Sequence, residues 1–409
     1  MESVHETTSA RPVWVDGRAI ALLMAASLTV MANATISPAL PGLERLFADD
    51  PNAALLTRLL VPAPSLSVAL CAPLAGVMAD RFGRRRLLLS GVILFIIAGC
   101  AGLVLPSLQA IFASRLVLGV AVALIMTAQT ALVGDYFTGN HRSALTGLQI
   151  SARNFGGLVF ISLAGWIAAL SPRLPFAIYG LAAVFLPLMW RVIVDPAPRS
   201  PEAPDARQAE IADRHPTWVA LLLLLVILQA ATNMIFFVMP TQMSFYLEAA
   251  GYDGAIMTGA FLGILMIAGG CSALLYPRIQ RATGYPGIFF LAYAAMALGF
   301  FLLLQAASTV SLFAAAAAIG TGYALASPSF VALMLELAPA RYRGLGGGVL
   351  TASIFMGQFC SPLVSSPLIA SFGYAGLFHA TALLVAAMSV AAGVAGGANW
   401  MRTRSVGRP

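Results

Sequence analysis

Long apolar runs follow one another along almost the whole of this chain, and the polar breaks between most of them are short. A helix that crosses the hydrocarbon of a bilayer needs about 20 apolar residues. Twelve stretches meet that requirement: 18–41, 53–79, 87–105, 108–136, 143–169 and 174–194, then 217–247, 254–277, 286–306, 309–337, 343–370 and 375–397. Hydrophobic residues make up 60% of the sequence and charged residues 10%, whereas a soluble domain is about 25% charged. No single core could absorb that much apolar surface, so most of it must face lipid or neighbouring membrane helices. The expectation is an all-α membrane protein with twelve transmembrane helices. The first run, Ile20–Leu40, is too long for the core of a signal peptide and further spans follow it, so it reads as a retained helix.

The runs fall into two sets of six. Asp195-Pro196-Ala197-Pro198-Arg199-Ser200-Pro201 opens a polar break that continues to Pro216, and its proline and mixed charge describe a solvated linker. The predicted organisation is a tail (1–17), a six-helix bundle (18–194), a linker (195–216), a second six-helix bundle (217–397) and a tail (398–409). The two bundles are copies. A shift of 201 places Gly119, Ala123, Asp135, Arg142 and Gly147 on Gly320, Ala324, Glu336, Arg343 and Gly348. A shift of 200 places Arg81 on Arg281 and Asn33 on Asn233, although the second loop then has Gln280 where the first has Asp80. An internal repeat of this kind is typical of secondary transporter folds.

Between the second and third runs lies Gly76-Val77-Met78-Ala79-Asp80-Arg81-Phe82-Gly83-Arg84-Arg85-Arg86. It resembles the signature loop of the major facilitator superfamily, G-x-L-a-D-r-x-G-r-k-x-x-l, with Met78 at the leucine position. In the fourth span, Arg115-Leu116-Val117-Leu118-Gly119 followed by Ala123 is similar to that family's second motif, with Leu118 where glutamine is common. The resemblance extends over nearly the whole chain and lies nearest to the twelve-helix drug:proton antiporter branch. It implies two pseudo-symmetric six-helix bundles around a central cavity. It implies that Gly76, Asp80, Arg81, Gly83, Arg84 and Arg85, with Arg142, Glu336 and Arg343, form a latch that breaks during transport, and that Arg115 takes part in proton coupling. The fifth span keeps Gly147, Gly156 and Gly165 of the antiporter motif but carries Phe160-Ile161 where Gly-Pro is expected.

Charge placement sets orientation. All 23 basic residues are arginine, which removes Schiff-base lysine chemistry and the lysine-dependent P-loop. With both termini in the cytoplasm, eighteen arginines fall on the cytoplasmic side, two (Arg45, Arg173) fall outside and three lie within spans. That asymmetry is the positive-inside pattern, so the net charge of +7 reports topology and not nucleic-acid binding. The expected location is the cytoplasmic membrane. Cys71, Cys100, Cys271 and Cys360 sit in separate apolar runs without metal-ligand or disulfide spacing. No His/Cys/Asp cluster falls within the spans, so neither an enzyme nor a metal or cofactor site is expected.

Two arginines are deeply placed. Arg153 lies eleven residues beyond Arg142, about 16 Å into a layer of about 30 Å. Arg115 lies about 12 Å below the start of its own helix. All sixteen carboxylates fall in loops, termini or the last turns of helices, so neither arginine has an acid at its depth. A buried cation is a functional hypothesis by default, and an anionic group on a transported solute would complete both. Asn33, Asn154, Gln229, Asn233 and Gln358, with Phe236 and Tyr323, are the expected cavity lining. The function expected is secondary transport of a small organic solute by alternating access, foremost the proton-coupled export of drug-like or metabolic compounds by a monomer. One alternative is carriage of an anionic metabolite or siderophore-like carboxylate held by Arg115 and Arg153. Another is a non-transporting receptor or assembly protein on the same fold.

Overall fold

The computed structural model describes residues 16–195, 218–305, 308–339 and 342–406, without the side chains of Asp80, Asn140, Ser143, Ala144 and 396–406. The predicted linker beyond Asp195, most of the two tails and the Asp80 carboxylate of the latch lie outside the described residues.

In lipid every backbone polar group must be satisfied within the protein, which leaves helices as one of two spanning solutions. Among the described residues there is no strand. Helix α1 is Gly17–Leu46, bent through a 3-10 turn at Ser37–Ala39. Helix α2 consists of Ala53–Leu60 and Ala63–Phe82, bent by 49° beside Pro62. Then come α3 (Arg84–Cys100), α4 (Leu108–Tyr136), α5 (Gly139–Ala168), α6 (Leu174–Val192, its first turns 3-10) and α7 (Trp218–Ala249). Gly254–Leu304 runs for 51 residues and Arg343–Val406 for 64. At 1.5 Å per residue even the shorter would be about 77 Å long, over twice the hydrocarbon thickness. Each is two spans. Gly284 (φ 66°, ψ −178°) parts α8 (254–283) from α9 (285–304), and Gly373, with the same angles, parts α11 (343–372) from α12 (374–406). Helix α10 (Thr309–Leu337) lies between the two pairs. The described chain thus contains twelve spans in two six-helix bundles.

The repeat is visible atom by atom. Gly119 of α4 leaves no room for a Cβ against the Pro64 carbonyl of α2, and Gly320 of α10 leaves none against the Leu265 carbonyl of α8. Both residues of the second pair are 201 positions beyond the first. Small residues at such crossings let backbones approach closely where no hydrophobic effect drives helices together. The same shift relates Gly83, which ends α2 at φ 90°, to Gly284. It also relates the ion pair Arg84–Asp135 to the hydrogen bond that Tyr285 donates to Glu336 Oε1 at 2.6 Å. The register of the loop is therefore 201, and pairing Arg81 with Arg281 is one residue out.

Helix ends meet water and are capped accordingly. The side chains of Asp16, Ser107 and Asp253 accept from the backbone of Arg18 (2.8 Å), Ala110 (3.3 Å) and Ile256 (3.0 Å), and Ser308 forms a reciprocal capping pair with Ser311. Large apolar side chains such as Leu74, Val77, Trp166, Leu274 and Val394 stay exposed on the helix surfaces, as expected of a lipid-facing belt. The end of the molecule that carries Gly83 and Gly284 is called the hinge end below, and the opposite end the far end.

Candidate functional site

At the hinge end the contacts stay within the first bundle. The Asp195 carboxylate lies where α3 begins: Oδ1 accepts from the Arg85 backbone N–H at 2.7 Å, and Oδ2 would be 2.9 Å from a Cβ on Gly83. An acid at a helix N-terminus satisfies orphan donors and the helix dipole together. Arg84 pairs with Asp135 at the end of α4. Arg85 donates to the Trp190 carbonyl of α6 at 2.9 Å and lies 5.4 Å from the centre of the Trp190 ring. The Tyr136 hydroxyl accepts from the Val194 N–H at 2.9 Å and donates to the Val194 carbonyl. Gly83, Arg84 and Arg85 thus tie α3, α4 and α6 together, whereas Arg81 lies over its neighbour Phe82 and Arg142 is exposed. In the second bundle Glu336 holds Tyr285. Arg343 Nε donates to the Ala338 carbonyl at 3.3 Å. A Cβ on Gly76, Gly147, Gly344 or Gly348 would meet nothing within 4 Å.

The bonds that join the two bundles lie elsewhere. At the far end Arg45 of α1 pairs with Glu248 of α7. Arg58 of α2 donates to Glu44 at 2.9 Å and places its guanidinium 4.1 Å from the centre of the Phe245 ring on α7, a cation–π contact across the interface. Gly165 of α5 and Gly259 of α8 are in near backbone contact: a Cβ on either would come within 2.9–3.0 Å of the other helix. A recess of ≈ 360 Å³ lies beside the Arg45–Glu248 pair, lined in part by Pro41, Pro172 and Tyr252.

At mid-span Gln358 of α11 crosses to the first bundle, where its Oε1 accepts from Ser65 Oγ at 2.7 Å and Asn33 Nδ2 at 3.4 Å. Within the second bundle Asn233 is fully buried. Its Nδ2 donates to the Gln229 carbonyl (2.9 Å), and its Oδ1 accepts from the Tyr323 hydroxyl (2.9 Å). The Tyr323 ring stacks on Phe236 with centroids 3.7 Å apart and planes at 13°. Both side-chain polar atoms of Gln229 are buried without a partner, as is Asn33 Oδ1. The expected lining residues therefore assemble into two clusters, one around Gln358 and one around Tyr323.

The two deep arginines separate. Arg115 is 0% exposed. One terminal nitrogen donates to Gly99 O (2.9 Å) and Ala98 O (3.3 Å) of α3, and the guanidinium lies 5.0 Å from the Phe176 ring centre and 4.6 Å from that of Tyr179. Those rings sit three residues apart on a 3-10 segment, where i and i+3 eclipse, so both present to one point. Arg115 is enclosed inside the first bundle, which corrects the expectation that it and Arg153 hold one anion together. Arg153 instead faces the second bundle, in electrostatic contact with Tyr323 of α10. It is half-buried, and its Nε is sealed without an acceptor. Asn154 turns back to the Ile150 carbonyl (3.1 Å) and lies beside Gly270 of α8.

Sequence reasoning missed Ser65, Asp195 and the contact of Arg58 with Phe245. Ser65 had a signal: it sits in the α2 segment opposite the Arg115 motif. Asp195 had a weaker one, as the first acid after α6. Among the described residues no group of three or more His, Cys, Asp or Glu side chains could hold a metal ion.

Twelve apolar spans in two repeated bundles, with polar clusters at mid-span between them, define an integral multi-pass membrane protein of the duplicated-bundle class. The description of the Major Facilitator Superfamily matches residues 22–362, and the chain belongs to that family. It is 21% identical to multidrug resistance protein 1 of Bacillus subtilis over 309 residues, 74% of this chain and 78% of that one. It is 26% identical to the quinolone resistance protein NorA of Staphylococcus aureus over 136 residues, 33% of this chain and 35% of that one. A solved structure of a D-xylose–proton symporter superimposes with a TM-score of 0.74 over 91% of this chain and 96% of that one, at 18% identity, a likeness of fold.

Proposed function

We propose that this protein is a proton-coupled secondary transporter that exports drug-like or metabolic organic compounds by alternating access. The observation that carries the reading is where the bundles are joined. Side-chain bonds between them lie at the centre and the far end (Asn33 and Ser65 with Gln358, Arg45 with Glu248, Arg58 on Phe245), while the hinge-end contacts of Arg84, Arg85 and Glu336 stay within their own bundles. A carrier shut at one end and parted at the other, with polar side chains between, has the form of one state of an alternating-access cycle. The likeness to a multidrug resistance protein and a quinolone resistance protein favours drug export. We place the hinge end in the cytoplasm of a cell with a single enclosing or inner membrane, with both termini cytoplasmic, because that end collects the arginines. We take the six-helix bundles as 18–194 and 217–397 and the working unit as a monomer.

Protein reconstituted in liposomes should move a solute faster when an inward-directed pH gradient is imposed than at equal pH. Transport of a panel of drug-like cations, anions and neutral compounds that never responds to the gradient would remove proton coupling. No movement of any compound would remove the transport reading.

A further inference from the structure

Resting on that transport reading, we propose that the central site takes organic anions: a carboxylate, sulfonate or phosphate on a flat aromatic body, with the anionic group on Arg153. Every described carboxylate lies at a helix end. Glu44, Asp135 and Glu248 are paired with Arg58, Arg84 and Arg45. Asp16 and Asp253 cap α1 and α8, Asp195 caps α3, and Glu336 holds Tyr285. Asp49 and Asp50 lie in the far-end loop, and Asp80 stands in the last turn of α2. No described acid is at the depth of Arg153. Its guanidinium is charged at any physiological pH, and among the described residues it has no hydrogen-bond acceptor, while one nitrogen is already sealed from solvent. An unpaired arginine at mid-membrane is costly and needs a partner. Arg115 shows how this chain meets part of that cost inside one bundle, with two carbonyls and two aromatic faces, its Nε and one terminal nitrogen remaining without acceptors. Arg153 has none of the carbonyls and only the Tyr323 phenol nearby.

The surroundings complete a recognition surface. Tyr323 and Phe236 form a parallel stack that offers a flat wall, and behind it the buried Gln229 side chain, whose backbone carbonyl holds Asn233, has its donor and acceptor unpartnered. A guanidinium suits a planar or tetrahedral anion through paired N–H donors. The same unbalanced positive charge, with no acid at its depth, disfavours a cationic solute.

The test is counterflow in proteoliposomes with three labelled probes: naphthalene-2-sulfonate, which stays charged at all working pH values, its neutral naphthalene-2-sulfonamide analogue, and the cation ethidium. The expected result is sulfonate moved about tenfold or more faster than sulfonamide, in line with a charged hydrogen bond, and ethidium slowest. Arg153→Gln should bring the sulfonate-to-sulfonamide ratio to about one, and Arg153→Lys, with a single-point cation, should restore part of it. If the glutamine variant does not purify, the fall of the ratio in the lysine variant is the reading. A ratio unchanged in either variant, or ethidium moved in preference to both naphthalene probes, overturns the anion site and leaves proton-coupled transport standing. No movement of any probe overturns both.

Discussion

Arg115 and Arg153 are the same residue type at similar expected depth on adjacent helices, yet the molecule treats them in opposite ways. Around Arg115 the first bundle closes completely: carbonyls of α3 and stacked rings of α6 surround the guanidinium, and no solvent reaches it. Around Arg153 the protein stops short: the residue is half-buried, its Nε has no acceptor, and its electrostatic partner is Tyr323 of the second bundle. Inside the first bundle Arg115 keeps two carbonyls and two ring faces, although its Nε and one terminal nitrogen lack acceptors. At the seam a group has to serve more than one arrangement, and bonds there are shared or absent. Gln358 illustrates the point, with one oxygen shared between Ser65 and Asn33 while Asn33 Oδ1 has no donor.

The largest expected effect tests the closed side of the contrast. Arg115→Ala should cost about 2–5 kcal/mol of stability by leaving a cavity. Arg115→Met, which refills the volume without a charge whose Nε and one terminal nitrogen are unbonded, should be near neutral or stabilising. Arg153→Met should leave the thermal midpoint close to that of the parent. Thermal unfolding in one detergent ranks all three, and an Arg153→Met loss as large as that of Arg115→Ala would erase the distinction.

Next comes the hinge, a contact network inside one bundle. Gly83 combines φ 90° and ψ 145° with a carboxylate at 2.9 Å, whereas Gly284 has a similar φ but no atom nearer than 3.8 Å to a Cβ. Gly83→Ala should cost about 1–3 kcal/mol from backbone strain plus the displaced Asp195, and Gly284→Ala the strain alone. Adding Asp195→Ala to Gly83→Ala should show measurable coupling in a double-mutant cycle. Strict additivity would mean that the carboxylate does not press on the hinge.

The smallest stability effect belongs to the far end. Glu248→Gln removes a surface pair in which the arginine side chain is 68% exposed, so unfolding should change by under about 1 kcal/mol. The pair joins the bundles, however, so the variant should raise far-end reactivity of single cysteines placed along α1 and α7. A stability loss without any change in reactivity would make the pair ordinary surface charge.

Much of this was legible in the sequence. Apolar runs and a 201-residue shift state the spans and the repeat, because lipid imposes length and duplication preserves spacing. Two helix pairs meet at a single non-helical glycine, and there the expected turns at 278–285 and 371–374 shrink to Gly284 and Gly373. Arg153, Gln229, Asn233 and Tyr323 were identifiable because polarity at mid-span is costly. The fate of Arg115 was not, since it depends on α6 adopting 3-10 geometry that lines up Phe176 with Tyr179. The role of Asp195 was hidden for a related reason: a helix cap supplied from 110 residues away has no local pattern.

The most direct measurement is the reactivity of Arg115→Cys and Arg153→Cys toward a sulfonated methanethiosulfonate, in protein whose Cys71, Cys100, Cys271 and Cys360 have been replaced. The account predicts modification at 153 from the hinge side and none at 115 while the protein stays folded. Equal protection at both positions, or labelling at 115 alone, would contradict it.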